Sequence, residues 1–259
     1  VDIACSAPWQ ETKRVCELAG MRAHETGTQH GTVTIVCDDE AFEVTTFRSD
    51  GQYKDARHPD AVTFVQTIEE DLARRDFTMN ALAYRPDRGV LDPFGGQADM
   101  EHGVIRAVGD PHARFSEDAL RILRACRFSS ELGFSIEPAT YQGMLASKGL
   151  LSHISAERVT HELERLLLGE HAGDALLGCV DALAVVLPEL VAMKGFEQHT
   201  PYHIYDVLEH TARVIDGVPR YPLIRWAALF HDMGKPACFF FDENGTGHFY
   251  GHAAVSVPI

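Results

Sequence analysis

Two β-branched runs, Thr32-Val33-Thr34-Ile35-Val36-Cys37 and Phe42-Glu43-Val44-Thr45-Thr46-Phe47-Arg48, predict neighbouring strands early in the chain. Glycine and polar residues between Thr26 and Gly31 predict a tight loop before the first strand. Residues 48–62 carry Gly, Pro and several charges and read as an irregular loop. Glu69 to Tyr84 reads as a helix, and Val90-Leu91 as a short strand. Asp92-Pro93-Phe94-Gly95-Gly96 is a turn signal and a candidate hinge. Beyond it the pattern becomes helical. Ser116 is placed to cap a helix running through Phe128, with Glu117 and Asp118 in its first turn and Gly133 as its stop. Ser155 to Leu168, ending at Gly169, predicts a second amphipathic helix, and Asp174 to Leu187, closed by Pro188, a third. Residues 201–259 read as helical again, apart from a turn at Asp242–Gly247.

Composition narrows this picture. Of the 259 residues, 45% are hydrophobic and 24% charged, which suits a globular chain able to bury a core without staples. No run of 18 apolar residues occurs, so no membrane partner is expected, and no signal peptide opens the chain. Cysteines at 5, 16, 37, 126, 179 and 238 form no C-x-x-C pair and read as reduced thiols of a cytoplasmic protein. The formal charge of −15 argues against a broad nucleic-acid surface, so any RNA must meet local basic clusters. Val1 at the start and Val257-Pro258-Ile259 at the end read as the edges of a fragment trimmed at both ends.

Four groups of residues carry candidate chemistry. Arg74-Arg75-Asp76-Phe77-Thr78-Met79-Asn80-Ala81-Leu82 sets two guanidinium groups, an acid and an amide at helical spacing. Arginine forks match phosphate oxygens, although an Arg-Arg-Asp cluster alone is more often a solvated helix face. Glu117-Asp118-Ala119-Leu120-Arg121-Ile122-Leu123-Arg124 places 117, 121 and 124 in one helical stripe with Asp118 beside Arg121, which alone is an ordinary ion-paired helix. Asp2 opens Val1-Asp2-Ile3-Ala4-Cys5-Ser6-Ala7, and Glu43 lies on a predicted strand. Near the C-terminal end, His210 precedes His231-Asp232-Met233-Gly234-Lys235 by 21 residues, with His252 beyond. Imidazoles with a carboxylate suit a transition metal.

Taken in order, these strings resemble the class II tRNA nucleotidyltransferases, the group of CCA-adding enzymes and bacterial poly(A) polymerases. The resemblance implies an α/β head, a DNA polymerase β-like palm with a mixed sheet. An all-α neck and body and an α-helical HD domain follow. The corresponding boundaries are a head at 1–98, a neck at 99–172, and a body with a partial HD domain at 173–259. It implies Mg²⁺ held by Asp2, with Glu43 as a further catalytic carboxylate. The family's first catalytic Asp and its upstream Gly-Gly…Arg-Asp segment have no counterpart here, and Cys5 stands where Thr is common. Arg75, Asp76 and Asn80 are assigned to ribose and triphosphate, and Asp118, Arg121 and Arg124 to the base-selecting motif. His210, His231 and Asp232 resemble the HD phosphohydrolase ligands, for a second divalent transition metal. The implied reaction adds C and A from CTP and ATP to the tRNA 3′ end. CC-only, A-only and poly(A) addition share these motifs. The alternatives are an HD-type metal-dependent phosphohydrolase or phosphodiesterase and a non-catalytic RNA-binding module.

Overall fold

The computed structural model describes residues 2–50, 62–200 and 203–259, in two compact units. The first unit is Val1–Asp99 with Ala107–Asp110, and the second is Met100–Arg106 with Pro111–Ile259.

The first unit holds a four-stranded mixed sheet. Its strands are β1 (Ile3–Cys5), β2 (Arg22–Gly27), β3 (Thr32–Cys37) and β4 (Glu40–Thr46), in the order β1-β4-β3-β2, with helix α1 (Trp9–Leu18) between β1 and β2. Strand β1 runs parallel to β4, with Ile3 opposite Val44, whereas the other pairs are antiparallel. Val33, Ile35 and Val44 alternate inward and pack with Trp9 and Cys16, a period-two pattern feeding one core face. Residues 51–61 of the expected loop lie outside the described residues. Its first part is strand β5 (Arg48–Asp50), paired with β6 (Val62–Phe64). Gly31 joins the loop to β3 at φ +77°, and a Cβ there meets the Phe64 ring at 2.6 Å. Glycine alone satisfies both conditions.

The helix expected over Glu69–Tyr84 is three pieces. Helix α2 covers Ile68–Ala73, Thr78–Asn80 is a single 3₁₀ turn, and β7 (Ala83–Arg85) pairs with β8 (Gly89–Leu91). The break is made by side-chain competition for the backbone. Asp76 accepts the Phe77 N–H at 2.8 Å, its carbonyl accepts Val108 N–H at 3.1 Å, and Phe77 extends to bridge Ala107. The Asp92 turn is held by Gly96 and Gln97 amides at 2.7 and 2.9 Å and opens α3 (Gly96–Glu101). A Cβ on Gly96 would come within 2.2 Å of the Thr78 carbonyl oxygen, so close backbone packing requires this glycine.

The second unit is mainly helical. A two-stranded parallel pair, β9 (Val104–Ile105) and β10 (Ser135–Ile136), accompanies α4 (Pro111–Glu117), α5 (Leu120–Leu132) and α6 (Pro138–Ser147). Helices α7 (Ala156–Leu168) and α8 (Ala172–Leu183) both pack on α5, and α9 (Glu189–Met193) follows. Next come α10 (Val207–Gly217), α11 (Pro222–Phe230) and α12 (Lys235–Cys238), then a hairpin of β11 (Phe240–Phe241) and β12 (Gly247–His248), and α13 (His252–Ser256). The hairpin replaces helix in the expected helical C-terminal stretch, with the Asp242 carboxylate accepting Asn244 and Thr246 amides across the turn.

The helix expected from Ser116 is divided. Ser116 lies inside α4, and the chain is reset at Asp118, whose carboxylate accepts Leu120 N–H at 3.0 Å. Gly133 closes α5 as expected, at φ +68°. At the heart of this unit the Arg127 guanidinium is 2% exposed and lies 2.8 Å from the Glu162 carboxylate of α7. Burial pulls the Arg127 pKa below the usual guanidinium range, while Glu162 and Glu131 oppose it.

Candidate functional site

In the first unit, Asp2 and Glu43 are exposed. Because Ile3 pairs with Val44 in parallel register, Asp2, just before β1, and Glu43, midway along β4, each directly precede a paired residue.

The Arg-Arg-Asp segment gathers around a carboxylate that motif reasoning passed over. Asp71, buried on α2, lies 3.1 Å from Arg74 and 3.7 Å from Arg75, and accepts the Arg48 backbone N–H at 3.1 Å. Its signal in the sequence is the i+3 and i+4 spacing to the two arginines. The Arg48 guanidinium in turn donates to the His30 carbonyl at 2.7 Å. The predicted Arg75, Asp76 and Asn80 are brought together. Asn80 Nδ2 donates to Asp76 at 2.9 Å, and Arg75 donates to the Asn80 carbonyl at 3.2 Å. Asp76 thereby fixes the turn that carries the other two, leaving the Arg75 guanidinium half-buried at the surface.

In the second unit, Asp118 sits at the α4–α5 junction. One carboxylate oxygen takes Leu120 N–H and the other lies 3.2 Å from Arg158, on the first turn of α7. Arg121 donates to Glu117 at 2.7 Å and to the Arg114 carbonyl at 3.0 Å. Glu117 also holds Arg114 at 3.0 Å. Arg124 is half-buried with its guanidinium 5.5 Å from the Phe128 ring. The Asp118 and Arg121 side chains are thus oriented by partners on three helices. Arg158 supports Asp118 directly, from the helix that the sequence predicts over Ser155 to Leu168.

Farther along the second unit, one ligand atom each from His210, His231 and Asp232 falls within 4.8 Å of the others, a metal-compatible group among the described residues. His231 Nε2 lies 3.0 Å and His210 Nε2 3.3 Å from Asp232 Oδ2, and His252 Nε2 lies 3.4 Å from Oδ1. His231 Nδ1 is 2.7 Å from the Ala228 carbonyl and His252 Nδ1 is 2.8 Å from the Phe249 carbonyl. With each Nδ1–H donating to its carbonyl, each neutral ring turns an Nε2 lone pair toward the carboxylate. That arrangement calls for a positive charge among them. Lys235 Nζ, 2.7 Å from Asp232 and 2.7 Å from Gln198 Oε1, supplies part of it. Burial alone acts to raise the Asp232 pKa, but His231 and Lys235 hold it well below the usual carboxylate range. Burial likewise acts to lower His231, and its bonds to Asp232 and Ala228 raise it overall, whereas burial lowers His210 and His203. Neutral His210 and ionised Asp232 are the forms that ligate metal.

A mixed-sheet head with an exposed carboxylate beside its first strand and an arginine-rich segment, followed by a helical body, has the architecture of the DNA polymerase β-like nucleotidyltransferase class. Residues 1–106 match the poly A polymerase head domain, and residues 133–193 match a probable RNA- and SrmB-binding site of polymerase A. The chain thus carries a poly A polymerase head domain and is similar to CCA-adding enzymes. It is 45% identical over 240 residues to a CCA-adding enzyme of Geobacillus thermodenitrificans, covering 90% of this chain and 54% of the relative. It is 51% identical over 169 residues to a CCA-adding enzyme of Pediococcus pentosaceus, covering 65% of this chain and 42% of that one. A crystal structure of the Bacillus stearothermophilus CCA-adding enzyme in complex with CTP superposes with TM-score 0.66 at 37% identity, covering 90% of this chain and 54% of that one. The chain therefore spans about half the length of the curated relatives it matches. Among the described residues no helix is long and apolar enough to cross a membrane.

Proposed function

We propose that this chain carries out nucleotidyl transfer to the tRNA 3′ end, adding C and A from CTP and ATP with release of pyrophosphate in the cytoplasm. The observation that carries this reading is the likeness to CCA-adding enzymes over 90% of the chain, with residues 1–106 matching the poly A polymerase head domain. Residues 1–98 serve as head, 99–172 as neck and 173–259 as body. The 3′ hydroxyl oxygen bonds to the α-phosphorus as the bond to pyrophosphate breaks. Asp2 and Glu43 are hard oxygen donors at matching register positions of a parallel strand pair, a donor set that fits Mg²⁺. When bound, that ion supplies charge neutralisation and orientation of the phosphates. Arg75, Asp76 and Asn80 hold ribose and triphosphate. Asp118 accepts from the exocyclic amino group shared by cytosine and adenine, and Arg121 donates to ring acceptors. Arg124 belongs to the same motif.

The test uses the full open reading frame with tRNA ending at its discriminator base, Mg²⁺, and CTP, ATP or both, resolved at single nucleotides. Stepwise C, C, A supports the proposal. C alone, A alone or a long A tail keeps the family and changes the specificity, and no addition overturns the reading. Asp118→Ala is expected to lower CTP and ATP incorporation about ten- to a hundredfold, the effect of leaving a polar base edge unpaired. Unchanged CTP and ATP selectivity in this variant removes Asp118 from base selection.

The His210–His231–Asp232 group favours a second reading, an HD-type centre for one divalent transition metal acting on phosphate esters. Titration with Mn²⁺ followed by electron paramagnetic resonance is expected to show one tight site that is lost in His231→Ala. Equal Mn²⁺ binding by this variant overturns the centre.

A further inference from the structure

The metal-compatible group lies in an open cleft of about 430 Å³, and one wall of that cleft is aromatic. His248, Phe249 and Tyr250 line it together with His210, His231, Asp232 and Lys235. The His248 and Tyr250 rings are stacked, with centroids 5.1 Å apart and planes 24° from parallel. Phe240 closes the group from the other strand of the hairpin, 5.5 Å from each of the two rings. The stack is fixed rather than loose, because His248 Nε2 lies 2.9 Å from Asp242, which itself caps the hairpin turn. Yet it is open to solvent: Tyr250 is 74% exposed and Phe240 44% exposed. Exposed rings held in a stack beside Lys235 and the metal-compatible group offer an exposed face where a flat ligand can add.

We propose that the Phe240–His248–Tyr250 stack is a base-binding subsite, so that the ligand of this cleft is a nucleotide. Its base lies on the Tyr250 face and its phosphate lies at His210, His231 and Lys235. This inference rests on the reading of the histidine–aspartate group as a metal centre. Apolar packing alone accounts for neither feature of the stack. A hairpin that needed only a core would bury these rings, and a cleft built for bare phosphate would need no aromatic wall. Base-on-ring stacking tolerates any base, so the subsite selects for the presence of a base more than for its identity. The phenol oxygen of Tyr250 plays no part in stacking, so Tyr250→Phe retains the function and Tyr250→Ala loses it.

The full chain, with Mn²⁺ present, is tested by equilibrium dialysis against AMP and against ribose 5-phosphate. Wild type and Tyr250→Phe are expected to bind AMP about tenfold or more tightly than ribose 5-phosphate, a stacking contribution for one base. Tyr250→Ala is expected to bind both equally, at the ribose 5-phosphate level, with far-ultraviolet circular dichroism unchanged. Equal affinity of wild type for the two ligands, or undiminished AMP preference in Tyr250→Ala, overturns the subsite. Failure of the metal reading has a different signature. Mn²⁺ then remains bound equally in His231→Ala, and ribose 5-phosphate affinity is indifferent to Mn²⁺.

Discussion

Asp2→Ala, made in the full-length protein, is expected to lower nucleotide addition by about a thousandfold while leaving the thermal midpoint nearly unchanged. A metal-held carboxylate at a phosphoryl-transfer centre contributes several kcal/mol to the transition state, and each 1.36 kcal/mol is a factor of ten in rate. Asp2 is exposed, so truncating it removes little packing, and surface changes of that kind fall within about 0.5 kcal/mol. The parallel register that pairs Ile3 with Val44 extends the prediction to its neighbour on β4. Glu43→Ala is expected to act in the same direction, through kcat with KM for CTP little changed. Primer-extension rates under saturating Mg²⁺ check both variants. Retention of wild-type extension in Asp2→Ala removes this strand from the reaction.

Glu162→Ala is the second large effect, on stability. Arg127 and Glu162 are 2% and 5% exposed and 2.8 Å apart at the packing of α5 on α7. Removing the acid leaves a buried guanidinium with only Glu131 among the described residues, 3.7 Å away, as an opposite charge in contact. Breaking a buried pair from one side costs about 3–5 kcal/mol, a large part of the stability of an ordinary domain. Replacing both partners, Arg127→Leu with Glu162→Leu, is expected to recover most of that loss, because no unpaired charge remains. Denaturant titration of the two variants checks this, and a Glu162→Ala loss below about 1 kcal/mol refutes it. The pair fixes the height of α7 against α5, and Arg158, the partner of Asp118, sits on the first turn of the same helix. Glu162→Ala is therefore expected to impair addition even below its melting temperature.

The strand Thr32–Cys37, the stop at Gly133 and the helix Ala156–Leu168 follow from local pattern alone, since each is decided by residues within a turn or a pleat of one another. The breaks at Asp76 and Asp118 were not legible. Both sequences are good helix, and what interrupts them is a carboxylate that captures a nearby amide. At Asp76 the interruption is confirmed by Ala107 and Val108, some thirty residues away, which no local window contains. The same distance effect hid Gln198, whose side-chain oxygen accepts from Lys235, the ammonium set three residues along from Asp232. The candidate ligands His210, His231 and Asp232 were legible as a spacing, and the fold brings them within contact. The aromatic wall beside them was not, because Phe240, His248 and Tyr250 become neighbours only when the Asp242 turn folds the chain back.

The tight seat of Gly96 on the Thr78 carbonyl has a further consequence for the chain between them. Together with the 2.7 Å bond from Thr78 to Asp99, it ties both ends of an excursion that contains the β7–β8 hairpin. The loop is closed by its base, so its tip has no closing work left to do. Residues at that tip, Arg85 to Arg88, are exposed. Lengthening a closed loop costs only about 0.6 kcal/mol for each doubling. The hairpin tip is thus a natural port for grafting an epitope or a fluorophore-bearing segment, one that reports on the head without entering its core.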